Sequence, residues 1–339
     1  MTKKVVIIGG GIAGMEAAST LSRMNIDVLL IEKKQQLGGH VGEWDHLFPN
    51  FRNAREITRS LLHDLQDKHI KICTNTEITG INKKSGKFEV RTTQQQTFKA
   101  DSILLSTGFD LFDAHKKEEY GYGIYENVIT SVDLEQKLKE SNILTMASGT
   151  IPKRVAMIHC VGSRDEKSGC LHCSKVCCIT AVKQAIEIKQ KLPNAEIFCF
   201  YMDLRMYGKK FEELYRESQE KWGIQFVRGR LSEAAENMDG SLQIKSEDTL
   251  SGKPLKMNVD LMVLMIGMAP SESTTFFGKM LGIHFSEDGF INHDDIHLEN
   301  NVTNVPGIFT AGTVTSPMTI TDTIADARSA ALKIATYIS

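Results

Sequence analysis

The sequence lacks an apolar run long enough to cross a membrane. The longest such run, residues 261–269, has about half of the ~20 residues that a spanning helix needs, and Asp260 and Pro270 bound it. A signal peptide is not expected either, because Glu16 interrupts the apolar stretch near the N-terminus, and the glycines before it favour a strand and a turn. We therefore predict a cytoplasmic protein.

The sequence also lacks an excess of charge of one sign. Its 40 Lys and Arg residues nearly balance 42 Asp and Glu residues, for a formal net charge of −2. Nucleic-acid binding, which depends on basic residues, is therefore not predicted. A chain of 339 residues is too long for one compact core. At roughly 150 residues per domain, this length predicts two domains.

The seven cysteines are not distributed as in a disulfide scaffold, where they would be spread along a short chain. Five of them lie between Cys160 and Cys178. In a reducing compartment, such clustering indicates metal or redox chemistry.

Apolar periodicity predicts alternating strands and helices. Strands are expected at 4–8, 27–31, 70–73, 87–92, 102–106, 154–159, 195–201 and 260–266, and helices at 12–24, 54–68 and 178–191. After Trp222 the pattern is β-rich, and the last forty residues return to strand, glycine turn and helix. We predict an α/β protein with one Rossmann domain split by a second, inserted Rossmann-like domain.

Glycines follow the first predicted strand in the pattern GxGxxG and open the first helix. Gly9 permits the tight turn, Gly11 lets the backbone approach a pyrophosphate, and Gly14 lets the helix pack on the strand. The helix N-terminus favours phosphate. Glu32 ends the second strand, where a carboxylate accepts ribose hydroxyls. The motif alone separates neither FAD from NAD nor a dinucleotide site from a simple glycine-rich turn.

Three further segments resemble the FAD-binding segments of the thioredoxin reductase-like flavoprotein superfamily. They are the GGH turn that follows Leu37, the sequence DSILLSTGFD at 101–110 and the sequence VPGIFTAGTVTSPMTITDTIADARSAA at 305–331. The resemblance implies FAD as the cofactor and a thioredoxin reductase-like two-domain fold. In that fold, the helix that starts near Thr321 directs its N-terminus at the flavin pyrimidine, where the helix dipole stabilises negative charge.

By the same resemblance, the FAD contacts include residues from every part of the first domain. The expected set is Gly9, Gly11, Ile12, Ala13, Gly14, Glu32, Lys33, Gly39, His40, Val41, Ile78, Thr107, Gly108, Gly312, Thr313, Ile320 and Thr321. Thr313 departs from the aspartate that is usual after this glycine. Since it removes a negative charge near the cofactor, we expect it to favour reduced flavin.

The second α/β unit has no second GxGxxG after its strand 154–159. That strand leads into Cys160, a single glycine and a loop with Cys170, Cys173, Cys177 and Cys178. We interpret this as a nucleotide loop replaced by a thiolate loop for an iron–sulfur cluster. A zinc site, a redox-active CxxC disulfide and inert buried cysteines are the alternatives.

Four strings are similar to the flavin-bearing A-type component of heterodisulfide reductase, and together they extend over nearly the whole chain. They are CVGSRDEKSGCLHCSKVCCITAVKQAI (160–186), TGFDLFDAHKKEEYGYGIYENVITSVDLEQKL (107–138), YMDLRMYGKKFEELYRE (201–217) and DLMVLMIGMAPSE (260–272). The resemblance implies a [4Fe-4S] cluster on Cys160, Cys173, Cys177 and Cys178, with Cys170 left over. It also implies a homodimer that works with B- and C-type subunits.

Methanogenic A-type subunits are longer and carry further clusters, whose cysteine runs are not found here. A cysteine-containing segment is replaced by EWDHLFPNFRNAREI at 43–57. The short form resembles the A-type subunits of heterodisulfide reductase-like complexes of sulfur-oxidising prokaryotes, and electron bifurcation is not carried over.

We expect an FAD domain at 1–112 and 290–339, a connecting segment at 113–150 and an inserted cluster domain at 151–289. The predicted function is an electron-transfer subunit in sulfur or disulfide metabolism. The alternatives are a stand-alone NAD(P)H-dependent disulfide or pyridine-nucleotide reductase, and a flavin-binding scaffold with structural zinc.

Overall fold

The computed structural model describes residues 3–141 and 143–339. Within these ranges the chain forms seven α-helices: α1 (Ile12–Arg23), α2 (Ala54–Asp64), α3 (Ser131–Glu140), α4 (Cys177–Lys191), α5 (Phe211–Glu220), α6 (Glu272–Leu281) and α7 (Ile320–Ile338). No helix in the described ranges combines the length and the apolar character needed to cross a bilayer.

Twenty strands accompany these helices in the described ranges. They are β1 (Lys4–Ile8), β2 (Asp27–Ile31), β3 (His46–Leu47), β4 (Arg52–Asn53), β5 (Ile70–Cys73), β6 (Ile78–Lys84), β7 (Lys87–Thr92), β8 (Thr97–Ala100), β9 (Ser102–Leu105), β10 (Phe109–Leu111), β11 (Val128–Thr130), β12 (Arg154–Val161), β13 (Glu196–Tyr201), β14 (Gln225–Arg228), β15 (Leu231–Glu236), β16 (Leu242–Asp248), β17 (Lys253–Val259), β18 (Leu261–Ile266), β19 (Met268–Pro270) and β20 (Ile308–Thr310).

The chain folds into two compact units. The first comprises the chain up to Glu43, Ala54–Asp110 and Ala269–Ser339, and the second comprises Trp44–Asn53 and Leu111–Met268. The second unit is therefore an insertion in the first, as the split pattern of the sequence predicts.

A five-stranded parallel sheet in the order β20-β9-β1-β2-β5 forms the centre of the first unit. β1 is apolar on both faces, with Val5 to Ile8 buried, as expected for a central parallel strand that is covered on both sides. The small antiparallel sheet β6-β7-β8 adds Ile81, Phe88 and Val90 to the core of this unit.

A second five-stranded parallel sheet, β11-β18-β12-β13-β14, forms the centre of the second unit. Successive residues of β12 enter cores on opposite faces: Val155 and Met157 pack on one side, and Ala156 and Ile158 on the other. This alternation is the period of two of a strand. The antiparallel sheet β15-β16-β17 accounts for the β-rich pattern after Trp222.

The unit boundaries differ from the expected ones in three segments, of which two lie after residue 112. Residues 113–150, expected to connect the domains, contain β11, which pairs with β18 as the edge strand of the second sheet. With only three residues, β11 is too short for its period to be recognised. Residues 269–289, expected in the inserted domain, belong to the first unit, where Phe277 and Ile283 pack in the core.

Residues 44–53 also differ from expectation, since they pack with the second unit. Phe48 and Phe51 contact its apolar core, and the Phe48 ring meets that of Phe211 edge-on at 5.4 Å between centroids. The expected domain at 1–112 is therefore interrupted by a short segment that packs with the second unit.

A buried ion cluster on α3 and α4 helps to attach residues 44–53 to the second unit. Lys183, with a side chain 2% exposed, lies 2.7 Å from Glu135 and 3.0 Å from Glu187. The Asp45 amide donates to Glu135 at 3.2 Å, and His46 Nδ1 lies 3.3 Å from Glu187. Burial raises the pKa of Glu187. For Glu135 burial is the largest single influence, but the charge of Lys183 and the hydrogen bonds from Lys183, Gln184 and Asp45 together lower its pKa.

We predict that Lys183→Met destabilises the protein by about 3–5 kcal/mol, because removal of one partner leaves buried carboxylates without compensation. Urea unfolding measures the effect. Lys245→Met, which removes the exposed Lys245–Glu233 pair, is the matched control and should change stability far less. Equal losses in the two variants would contradict a special contribution of the buried cluster.

Candidate functional site

The glycine turn after β1 has the geometry of a dinucleotide-binding turn. Gly9 has a φ of +107°, and a Cβ built there would lie 2.3 Å from the Ser106 carbonyl oxygen. A Cβ on Gly14 would lie 1.9 Å from the Gly9 oxygen, so α1 packs on β1 only because residue 14 is glycine. A Cβ on Gly11 would meet nothing within 4 Å. The N-terminus of α1 therefore faces open space at Gly11, the position expected for a pyrophosphate.

The carboxylate of Glu32 lies beside this turn. One of its oxygens accepts from the Gly10 amide at 2.7 Å and the other from the Lys34 amide at 2.8 Å. The expected ribose-binding acid is thus fixed in place by the backbone. The Lys33 ammonium group donates to the Ser273 hydroxyl at 3.1 Å, and its expected contact with FAD stays a prediction.

The turn at residues 38–42 lies against the glycine turn. The Gly38 amide donates to the Gly10 carbonyl at 2.8 Å, and a Cβ on Gly39 would lie 3.3 Å from the Cα of Gly11. His40 stacks on Phe109 at 4.5 Å between ring centroids, with Nε2 3.0 Å from the Phe109 carbonyl. Val41 is buried. The hydrogen bond to Phe109 supports a local structural role for His40.

Thr107 and Gly312, which follow the ends of β9 and β20, lie near each other, because these two strands are parallel neighbours in the sheet. Gly312 has a φ of +77°, and a Cβ there would lie 2.8 Å from that of Ala13. A Cβ on Gly108 would lie 3.9 Å from the Thr313 hydroxyl. The three segments quoted for their resemblance to flavoproteins are therefore brought together by the fold.

Other expected residues lie further from the glycine turn or show fewer contacts with it. Thr319 caps α7 by accepting from the Asp322 amide at 3.1 Å, so Ile320 and Thr321 form its first turn. Ile78 lies on β6 and packs in the apolar core of the first unit. Ile12 opens α1 and is buried with Ala13. The proposed contacts of these residues with FAD stay predictions.

Sequence reasoning missed Asp326, on α7. Its carboxylate accepts from the Gly312 amide at 2.7 Å and from the Asn301 amide group at 2.8 Å. Burial raises the pKa of this carboxyl group, while both hydrogen bonds oppose the rise. No sequence signal indicates this residue, because an aspartate on an amphipathic helix usually faces solvent.

The second candidate site is the thiol loop, which we define as residues 160–178. Cys160 lies near the end of β12 with a φ of +57°, and Cys177 and Cys178 open α4. All three are buried, and the Cys177 thiol interacts with the other two. These interactions lower the pKa values of Cys160 and Cys178 and raise that of Cys177.

Buried polar groups surround these thiols. Within the described ranges, Nη1 of Arg164 is buried without a hydrogen-bond partner, and the buried His159 ring interacts with the thiols of Cys178 and Cys199. Arg164 interacts electrostatically with Cys160 and Cys173, and His159 lies beside Cys178. The Cys173 sulfur accepts from the Lys175 amide at 3.4 Å. The surroundings of the loop are therefore suited to an additional hydrogen-bond acceptor that carries negative charge.

Cys170 stands apart from the other cysteines of the loop. It forms a short antiparallel bridge with Asp165, and its thiol donates to the Ser168 carbonyl at 3.7 Å. It packs against the core on the face opposite to that of Cys177 and Cys178. Across the described ranges, no three His, Cys, Asp or Glu side chains converge on the position of a single metal ion.

A family model described as pyridine nucleotide-disulphide oxidoreductase matches residues 3–331. The chain belongs to this family. Membership implies FAD as the cofactor and confirms the prediction of an oxidoreductase. Solved thioredoxin reductases share the fold: that of Lactococcus lactis is 19% identical with a TM-score of 0.68, and each chain is covered to 99%. That of T. acidophilum is 20% identical with a TM-score of 0.67, covering 99% of this chain and 100% of its own.

Curated relatives in this family confirm the narrower resemblance. The A-type subunit of the H2:CoB-CoM heterodisulfide,ferredoxin reductase of Methanothermobacter marburgensis is 31% identical over 98% of this chain and 63% of its own length. An iron-sulfur subunit of the same type, from the CoB–CoM heterodisulfide reductase of Methanopyrus kandleri, is 31% identical over 96% and 63%. The chain thus spans less than two thirds of these relatives.

We predict that Gly11→Ala lowers flavin occupancy without reducing the stability of the flavin-free protein. Gly11 has a φ of −76°, which alanine tolerates, so only the room for the cofactor is lost. Gly14→Ala, by contrast, should destabilise the flavin-free protein, because its Cβ would collide with the backbone. Absorbance at the flavin band and thermal unfolding of both forms measure these effects. Full flavin content in Gly11→Ala would contradict this placement of the pyrophosphate.

We also predict that Thr313→Asp lowers the flavin midpoint potential, because an added negative charge disfavours electron uptake. A redox titration measures the shift, and Thr313→Asn, which adds no charge, is the control. A raised potential in the aspartate variant would overturn the expectation.

Proposed function

We propose that the chain is an electron-transfer subunit of a heterodisulfide reductase-like complex, with FAD in the first unit and a [4Fe-4S] cluster in the second. The observation that carries the proposal is the contrast between two corresponding turns. The turn after β1 is open at Gly11, whereas the loop after β12 carries thiols in place of a glycine cradle. Bound FAD exchanges one or two electrons, and the cluster exchanges one.

The ligands proposed for the cluster are Cys160, Cys173, Cys177 and Cys178. The absence of a single-ion geometry among the described residues is compatible with this set, because each cysteine of a four-iron cluster binds a different iron. The N-terminus of α4 favours thiolate over thiol at Cys177 and Cys178. Arg164 and His159 supply N–H groups that can donate hydrogen bonds to thiolate or sulfide. The separate surroundings of Cys170 support its exclusion from the set.

In the first unit, the proposed role of the residues is to hold FAD and set its electrostatic surroundings. Gly11 leaves room for the pyrophosphate, and Glu32 presents its carboxylate for the adenosine ribose. Gly312 and Thr313 are assigned to the ribityl chain. The first turn of α7 is assigned to the flavin ring, where its free amides stabilise negative charge.

The proposed partners follow from the relatives, whose names identify them as A-type subunits of heterodisulfide reductases. We propose a cytoplasmic homodimer that associates with B- and C-type subunits and acts in sulfur or disulfide metabolism, as in the short-form complexes of sulfur oxidisers. Since the chain spans 63% of the relatives' length, their full set of clusters and electron bifurcation are not part of the proposal.

Packing at Gly162 argues against an NAD(P)H-dependent reductase. A Cβ on this glycine would lie 2.0 Å from the Phe112 ring, so the one glycine that directly follows β12 is closed by an aromatic side chain. At Gly11 the corresponding space is open. The backbone approach that a second dinucleotide needs is therefore not available at Gly162.

We predict that anaerobically prepared protein contains flavin, iron and acid-labile sulfide, and that Cys177→Ser retains flavin but loses most of the iron. Cys170→Ser is the matched control from the same loop and should keep both. Colorimetric iron and sulfide assays with flavin absorbance measure the outcome. Zinc without sulfide in the unmodified protein, or equal iron loss in both variants, would refute the cluster assignment.

A further inference from the structure

An exposed surface of mixed cationic and apolar character lies beside the thiol loop. We define the docking surface as Leu171, Lys175, Arg205, Tyr207, Lys209 and Lys210. We propose that it docks a small electron-transfer protein with an acidic surface. The inference deepens the proposed function, and it rests on that function for the redox role of the partner.

Two contacts place the segment 203–210 against the thiol loop. The Cys178 thiol donates to the Asp203 carbonyl at 3.8 Å. The Lys175 ammonium group lies 5.9 Å from the centre of the Tyr207 ring, at the distance of a cation–π contact. A protein that covered the docking surface would therefore lie beside the thiol loop, which carries the proposed cluster ligands.

The apolar part of the docking surface is largely exposed. Leu171 is 64% exposed and Tyr207 65% exposed, although the neighbouring Met206 and Cys178 are buried. Leu171 lies between Cys170 and Cys173, in the loop that holds the thiols. Exposed aromatic and aliphatic groups next to a functional loop are typical of the centre of a protein interface.

The charged part of the docking surface consists of cations, and Asp203 offsets part of the charge of Arg205. Arg205, Lys209 and Lys210 are exposed within six residues that contain no carboxylate. Asp203 accepts from Arg164 at 2.7 Å, and Asp165 pairs with Lys117 and Arg230. The next carboxylates along the chain belong to the first turn of α5.

This positive charge is local, because the whole chain has a formal net charge of −2. An acidic protein would thus be attracted to the docking surface in preference to the rest of the molecule. Complementary charge steers association and fixes orientation, while the apolar groups supply contact area. A one-electron carrier fits because it needs close approach to the thiol loop and only a short-lived complex.

The test uses the full-length protein and a purified [2Fe-2S] ferredoxin with an acidic surface as the probe. Isothermal titration calorimetry at low ionic strength should detect binding of this ferredoxin and weaker or no binding of basic cytochrome c. Lys209→Glu/Lys210→Glu should weaken ferredoxin binding about tenfold, and added salt should reduce the difference. Lys253→Glu/Lys256→Glu, two exposed lysines on β17, is the matched control and should bind as the unmodified protein does.

Leu171→Ala/Tyr207→Ala tests the apolar part without changing charge, and should weaken binding with little change in its salt dependence. Equal weakening in the Lys253/Lys256 control, unchanged affinity in the Lys209/Lys210 variant, or equally tight binding of a DNA duplex would overturn the inference. So would a shift of the chain's own oligomeric state, by light scattering, in place of an effect on ferredoxin. Iron analysis of the same samples distinguishes failure of the proposed function from failure of the docking surface. Absent iron counts against the proposed function, whereas normal iron with unaltered ferredoxin binding in the Lys209/Lys210 variant counts against the docking surface.

Discussion

A parallel sheet gathers the carboxyl ends of its strands at one edge, and both candidate sites of this chain depend on that constraint. At the edge of the first sheet, β1, β9 and β20 bring Gly11, Gly108 and Gly312 together from distant parts of the sequence. At the edge of the second sheet, β12 delivers Cys160 and the start of α4 delivers Cys177 and Cys178. One architecture therefore presents an open glycine turn in one unit and a set of thiols in the other.

The sequence predicts those parts of the fold whose signal is local. Strands β1, β2 and β12 and helix α1 follow from continuous apolar runs and from glycines whose spacing has a steric reason. The three-residue strand β11 could not be found, because it exists only through its pairing with β18. The same holds for the site: GxGxxG and the cysteine loop are visible in the sequence, whereas Asp326 and Phe112 gain their roles from residues far away in the chain.

The segment that replaces the expected cysteine-containing stretch has a structural explanation. Residues 44–53 leave the first unit and attach to the second through Phe48, Phe51 and the polar groups of Asp45 and His46. They contact α4, whose first residues are proposed cluster ligands. A stretch without cysteine thus supports the helix that carries the thiols.

The buried cluster of Lys183, Glu135 and Glu187 has an evolutionary consequence. One buried ammonium group pairs with two buried carboxylates. The loss of any one of the three therefore leaves the others in an unfavourable electrostatic environment. Single substitutions at these positions would be removed by selection, whereas joint replacement by apolar residues of similar volume would be tolerated where the Asp45 amide and the Gln184 side chain gain other acceptors. The three positions should accordingly co-vary among descendants of this chain, as an all-charged or an all-apolar trio.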